Sequence, residues 1–305
     1  MAYPIAAGAA QYSGTFIPEI WSSKLVENLY DATVLTAISN TDYEGEIKSM
    51  GDTVNIRLSP EVTIRPYVKG MALTVERPEK PKIQLLIDQG EYFNCVEDDM
   101  DKIQSDIDLM QKWSQDASEK LKIAIDSKVL TGVIPDISTL NQGATAGRIS
   151  GSINLGATGA PVQVTKTNVL DLIVDAGTVL DEANCPESGR YMVIPAWMAG
   201  MIKKSDLKDA SLTGDTTSVM RNGRVGMLDR FTLYTSHNLN SVVDATFRCF
   251  SVIAGVKQGL TFATQMTEME SLRSESVFGT LVRGVQAYGF KVVKGEMLAR
   301  LYVRQ

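Results

Sequence analysis

The side chains best suited to chemistry are few in this chain, and they stand apart. A single histidine, His237, lies in a polar stretch that follows an apolar run. One imidazole without Cys, Asp or Glu partners at ligand spacing builds neither a histidine-rich metal site nor a general acid-base relay. The acidic residues Glu97, Asp98, Asp99, Asp101, Asp106 and Asp108 carry enough oxygen to hold a divalent cation. They lack the glycine and terminal glutamate of a calcium loop, and their place ahead of a helical pattern suits the positive end of a helix dipole. The glycine-rich stretch 143–161 lacks the Gly-Lys-Ser/Thr ending of a phosphate loop and reads as a boundary. The three cysteines, Cys95, Cys185 and Cys249, are scattered and odd in number, which fits reduced, packed thiols. Basic Lys69, Arg77, Lys80 and Lys82 cluster on one extended segment, where they suffice as partners for acidic neighbours in an assembly. No catalytic, metal or cofactor site is expected.

Composition narrows the classes further. With 305 residues, 44% hydrophobic and 22% charged, the chain suits an ordered protein of one large or two ordinary domains. A formal net charge of −6 argues against gripping nucleic acid over a broad surface, but not against enclosing it. No apolar run approaches the ~18 residues of a membrane span, so no membrane partner is expected. The apolar N-terminus has no basic region ahead of it, so it does not read as a signal peptide, and synthesis in the cytoplasm is expected.

The elements that must position these residues are read from periodicity. Residues 51–100 alternate with a period of two. Val54, Ile56 and Leu58, then Val62 and Ile64, share one face of an outgoing arm. Leu73 and Val75, then Ile83, Leu85 and Ile87, and later Tyr92 and Cys95, mark the return. Pro78 and Pro81 remove ladder donors from the return arm, which places it at an edge or bulge. Arms of ten to fifteen residues would project roughly 35 to 50 Å. An isolated hairpin is marginal in water, so its apolar face needs a neighbour: its own domain or another subunit.

Residues 3–15 read as an arm with few anchors, and Pro18 begins a short amphipathic helix with Ile20 or Trp21, Leu25 and Leu29 at helical spacing. A long helix is predicted from Met100 to about Leu130, with Ile103, Ile107, Met110, Trp113 and Leu121 as core residues and Gly132 and Pro135 as the stop. Beyond the 143–161 boundary the pattern predicts a helix over 165–183, a buried strand over 190–194 and a helix over 196–204. A polar loop follows over 206–224, then strands near 231–235, 249–253 and 260–266, a helical patch over 276–288 and a last strand at 290–293. Helices and strands mix without strict βαβ repetition, so the expected class is α+β.

The order of parts, an arm, a long hairpin, a long helix and a mixed domain with a polar loop, resembles the major capsid protein of tailed bacteriophages, the Hong Kong 97-type fold. IPEIWSSKLVENL is similar to the helix ending that family's arm, GDTVNIRLSP to the opening of its extended E-loop, and RPYVKG to the loop's tip. VEDDMDKIQSDIDLMQKWSQDASEKLKIAIDSKVL resembles its spine helix. VIPAWMAGMIKKSD and GRVGMLDRFTLYTSHNL resemble segments of its axial domain, and ESVFGTLVRGVQAYGFKVVKGEMLARL its C-terminal closure.

The resemblance implies an N-terminal arm and short helix over 1–45, the E-loop over 46–96 and a peripheral domain with the spine helix over 97–142. An axial domain would span 143–245, with a return segment shared by both domains over 246–305. It implies a structural, non-enzymatic coat protein whose partners are copies of itself in hexamers and pentamers, forming an icosahedral shell around double-stranded DNA. The implied contact residues are Arg65, Tyr67, Lys69, Arg77, Lys80 and Lys82 on the E-loop, Tyr12 and Phe16 on the arm, and Asp215, Arg221 and Arg224 on the axial loop. Some relatives crosslink an E-loop lysine to a neighbour's asparagine. Lys69 occupies that place here, although a lysine on an edge hairpin also guards against stray pairing. A portal protein, a separate scaffolding protein or none, and a cement or decoration protein are further implied partners, with assembly in the host cytoplasm and residence in the virion capsid. An encapsulin-type cellular compartment shares the fold, and an α+β enzyme or binding module forming a small oligomer is the more distant alternative.

Overall fold

The computed structural model describes residues 30–42, 53–58, 60, 62–77, 82–99, 109–205, 226–244, 246–274 and 277–305, with the side chains of 109–111 and 265–267 outside that description. The fold is α+β, as expected. Among these residues the larger sheet runs β4 (Val162–Gln163), β12 (Leu298–Arg304), β9 (Phe247–Val256), β5 (Arg190–Ile194), β7 (Phe231–Thr235) and β6 (Met227–Leu228), with β8 (Ser241–Asp244) also paired to β9. Strands β5 and β7 are parallel, as are β4 and β12. The other pairs are antiparallel.

Alternation along β5 explains why this sheet is the centre of the molecule. All five of its residues are buried, as in a strand covered on both faces. Met192 and Ile194 face one core; Tyr191 and Val193 face the other. On the first side lies helix α3 (Val169–Glu182), whose Val169, Leu172, Ile173, Ala176, Val179 and Leu180 are buried as its 3.6-residue spacing predicts. Helix α4 (Ala196–Lys204) adds Met198, Ala199 and Ile202 to the same core, with half-buried Trp197 and Met201 packed at its edge. On the second side, Ile125, Val129 and Leu130 of helix α2 (Leu109–Gly132) pack with Tyr288, Leu298 and the short helix α1 (Leu35–Ile38).

The second sheet overturns part of the sequence reading. Strands β10 (Leu260–Arg273) and β11 (Gly279–Val292) form a long antiparallel ribbon, and β3 (Gln89–Asp98) adds to β11. The patch 276–288, expected to be helical, is therefore strand from Gly279 onward. Val282, Val285 and Tyr288 imitate helical spacing, but hydrogen-bonded partners on both edges of β11 decide the conformation. Residues 290–293, expected as the last strand, are mostly the end of β11, and the closing strand is β12.

The hairpin is also shorter than expected as a ladder. Strands β1 (Thr53–Arg57) and β2 (Lys82–Leu86) pair over five residues, and the stretch 62–77 carries no strand ladder. Tyr92 and Cys95, read as part of the return arm, belong to β3 and pair with β11 instead. Asp98, expected in the first turn of the long helix, is the last residue of β3, and Asp99 pairs with Arg273. Asp101, Asp106, Asp108, Ile103 and Ile107 lie outside the described residues. The helix ends at Gly132 as expected, and that position has no room for a side chain: a Cβ there would meet the Phe290 ring at 2.3 Å.

The stretch 143–161 is not a loose linker. Leu155 is fully buried and its carbonyl accepts from the Tyr302 N–H at 2.7 Å, which fastens the turns along β12.

Candidate assembly interface

The extended loop rises from a fixed base. Ile56 of β1 and Leu85 of β2 are buried against Ala263 of β10, with Val54, Ile87 and Val293 around them. The backbone of β2 lies so close to β11 that a Cβ on Gly289 would meet the Leu86 carbonyl oxygen at 2.0 Å. Only glycine admits that approach.

Beyond the base, the loop's apolar residues have no cover. Ile64 is 93% exposed, Val75 92%, Leu73 75% and Tyr67 70%. Each would contribute roughly 1.5–3 kcal/mol if fully buried by a partner. The two arms are held together by polar contacts: the Thr63 hydroxyl donates to Glu76 at 3.0 Å, and Arg65 pairs with Glu76 at 3.7 Å. A turn at Lys69–Gly70 closes the tip, with the Met71 N–H donating to the Val68 carbonyl at 3.1 Å and Gly70 at φ +87°. Of the expected contact residues, Tyr67, Lys69 and Arg77 are exposed on the arms, and Arg65 is engaged with its own loop. Lys82 opens β2 directly opposite Arg57, a like-charge pair at the loop's neck that an acidic partner would relieve. Lys80, Tyr12, Phe16, Asp215, Arg221 and Arg224 lie outside the described residues.

A second surface lies where α2 crosses β3. Trp113, expected in the core, is 39% exposed there, because the sheet beneath it is three strands wide and no described layer closes the far side. Leu121 is half-buried at the edge of the second core, as a core residue at a boundary would be. Met110 lies in α2, with its side chain outside the description. Together Trp113, Tyr92, Phe93, Cys95, Ala117 and Leu121 line a groove of about 510 Å³. On the ribbon's other face Tyr92, Asn94, Glu268, Glu270, Arg283 and Val285 line a smaller hollow of about 380 Å³, crossed by an Arg283–Glu270 pair at 2.7 Å. Phe278 is 83% exposed at the ribbon's tip.

Buried charges that sequence reasoning did not single out hold these parts in place. The Asp126 carboxylate on α2 accepts from the Val34 and Leu35 N–H groups at 3.2 and 3.0 Å and from the Asn238 amide at 2.8 Å. Burial pushes its pKa above the usual carboxylate value, and those hydrogen bonds only partly offset the rise. Arg190, fully buried, donates to the Pro186 and Cys185 carbonyls at 2.8 and 2.9 Å and to Asp181 at 2.6 Å. Burial alone would raise Asp181, but hydrogen bonds and charge from Arg190 and Arg230 outweigh it and hold the group below its usual value. The available signal was a charge inside an apolar run, as in Arg190 before YMVI and Asp126 after Ile125. Cys185 donates to the Glu296 carbonyl at 3.3 Å, and burial pushes its thiol pKa up. His237 is exposed, apart from these networks. Among the described residues no helix is long and apolar enough to cross a membrane.

Comparison with known proteins places this architecture. A family model described as phage capsid protein matches residues 89–301, from β3 through β12. A search of curated proteins finds no match. Among solved structures, a chain of Mycobacterium phage Che8 is 25% identical with a TM-score of 0.74, covering 95% of this chain and 98% of that one. The capsid of cyanophage P-SCSP1u aligns at 14% identity and TM-score 0.71, over 94% of this chain and 93% of the other. The capsid of a native GTA particle aligns at 15% identity and TM-score 0.67, over 96% and 97%. With the matched region covering most of the chain, and an exposed loop and open grooves left over from its own packing, the chain belongs to the phage capsid protein family and is a shell-forming major capsid protein of the Hong Kong 97-type fold.

Proposed function

We propose that copies of this chain form hexamers and pentamers of an icosahedral shell enclosing double-stranded DNA, and that the loop 58–77 of each copy lies on a neighbouring subunit. The observation that carries this reading is the loop itself: a base buried on its own sheet, and beyond it a run of apolar side chains with almost full exposure. On the loop and at its return, Arg65, Tyr67, Lys69, Arg77, Lys80 and Lys82 meet the neighbour's surface, and Tyr12 and Phe16 of the arm make a second contact. Spine-helix residues Ile103, Ile107 and Met110 stiffen the subunit, and Asp215, Arg221 and Arg224 gather around the capsomer axes. The domain division expected from the sequence, with its peripheral part over 97–142 and axial part over 143–245, belongs to the same reading.

The role is structural rather than catalytic. Such heterologous contacts close into a shell only when their rotations match its symmetry. A portal protein, a separate scaffolding protein or none, and a cement or decoration protein complete the partners, and the shell is assembled in the host cytoplasm. Deleting Thr63–Thr74 tests the central claim. The deleted subunit should remain folded by circular dichroism and yield no particles under electron microscopy, and normal particles would refute the role given to the loop.

A further inference from the structure

The first described residues run along α2 beside the groove between α2 and β3. Tyr30 donates its hydroxyl to Asp116 on α2 at 2.9 Å, and Asp116 stands on the groove's rim. Four residues later, the Val34 and Leu35 N–H groups bind Asp126, also on α2. Ten helical residues from Asp116 to Asp126 span ~15 Å at 1.5 Å each. The four steps from Tyr30 to Val34 span ~14 Å when extended. The chain therefore runs parallel to α2 here, and the residues before Tyr30 are delivered toward Trp113, which is 39% exposed.

The chain arriving there has the right character. Twenty-nine residues precede Tyr30, and the last twelve, Pro18–Leu29, carry Trp21, Leu25 and Leu29 at intervals of four, one apolar stripe of a helix. We propose that Pro18–Leu29 packs into the groove of its own subunit, with Trp21 and Leu25 against Trp113 and Cys95. This goes beyond the shell reading and does not depend on it, because the contact lies within one copy. A consequence is that the arm before Pro18 leaves the subunit from the end of the groove rather than from Tyr30.

Two measurements on the full-length chain test this. In Leu25→Cys and Trp21→Cys variants, a short bifunctional maleimide should join the new thiol to Cys95, the free thiol in the groove. Mixing isotopically heavy and light subunits before crosslinking separates links within one copy from links between copies by peptide mass. Light–light and heavy–heavy links alone support the proposal. Heavy–light links at the statistical share would assign the groove to a neighbour's segment, and no link from either position would leave it empty of this segment; each result overturns the proposal. Second, Trp113→Ser should speed tryptic cleavage after Lys24 about tenfold or more relative to cleavage after exposed Lys69 in the same chain. An unchanged ratio would overturn it as well. A subunit that assembles normally and gives the intrachain link separates this outcome from that of the loop deletion.

Discussion

Strand β5 is a near-continuous apolar run and the loop 58–77 an alternating one, and they meet opposite fates. Every residue of β5 is buried, even Arg190, because α3 lies over one face and α2 beneath the other. In the loop, Ile64 and Val75 are more than nine-tenths exposed although their spacing is that of a strand. Alternation tells which side chains share a face; whether that face is buried depends on what the rest of the chain, or another chain, brings to it. In the proposed shell, that uncovered face is the surface a neighbouring copy would bury.

That contrast can be broken in four ways. The largest change is expected inside the first core, where Phe231→Ala should cost about 3–5 kcal/mol in urea unfolding of unassembled subunits, since Phe231 is fully buried. The paired change Ile64→Ser with Val75→Ser should leave subunit unfolding within about 0.5 kcal/mol of the parent. Particle yield should nevertheless collapse, as read by sedimentation. Equal losses in both assays would show that the loop is part of the subunit core after all. Between these extremes lies Gly289→Ala, which pushes a methyl into the Leu86 carbonyl at the loop's base. It should destabilise by about 1–3 kcal/mol and impair assembly in proportion, joining the two regions through one contact.

The smallest effect concerns pH. Asp126 has a folded pKa raised above its ordinary value of 3.8, so the native state holds this proton more tightly than the unfolded chain. Its favourable contribution is therefore full below about pH 3.8 and is lost as pH rises through the folded pKa. Asp181 has the opposite sign: its lowered pKa contributes stability above 3.8 that is lost as pH falls. Asp126→Asn should flatten the loss of stability on the rising side of pH 4, measured as urea midpoints between pH 4 and 6, and leave the acid-side loss from Asp181 in place. A pH profile identical to the parent's would show that Asp126 does not titrate differently on folding.

Local pattern was a good guide where one element carries its own periodicity. The helix read over 165–183 is α3, and the segments 190–194 and 196–204 are β5 and α4. It failed where two distant segments decide together. The spacing of Val282, Val285 and Tyr288 fits a helix, yet β11 is strand because β10 and β3 satisfy its backbone on both sides. The same cause moved Tyr92 and Cys95 out of the hairpin and turned Asp98 from a helix start into a strand end. Of the proposed assembly surface, the loop's exposed apolar and basic residues were legible. The groove at Trp113 was not, because a helical stripe does not say how wide a sheet it will meet.

What the sequence by itself determined is which side chains share a face, where prolines and glycines interrupt a ladder, and the order of arm, loop, helix and mixed domain. These follow from backbone sterics and from spacings within a dozen residues. Only the tertiary structure decided which faces are covered, why Gly132 and Gly289 must lack a Cβ, and how Asp126 joins Val34, Leu35 and Asn238. Those outcomes depend on contacts between residues about a hundred or more positions apart, whose free energy no local pattern records.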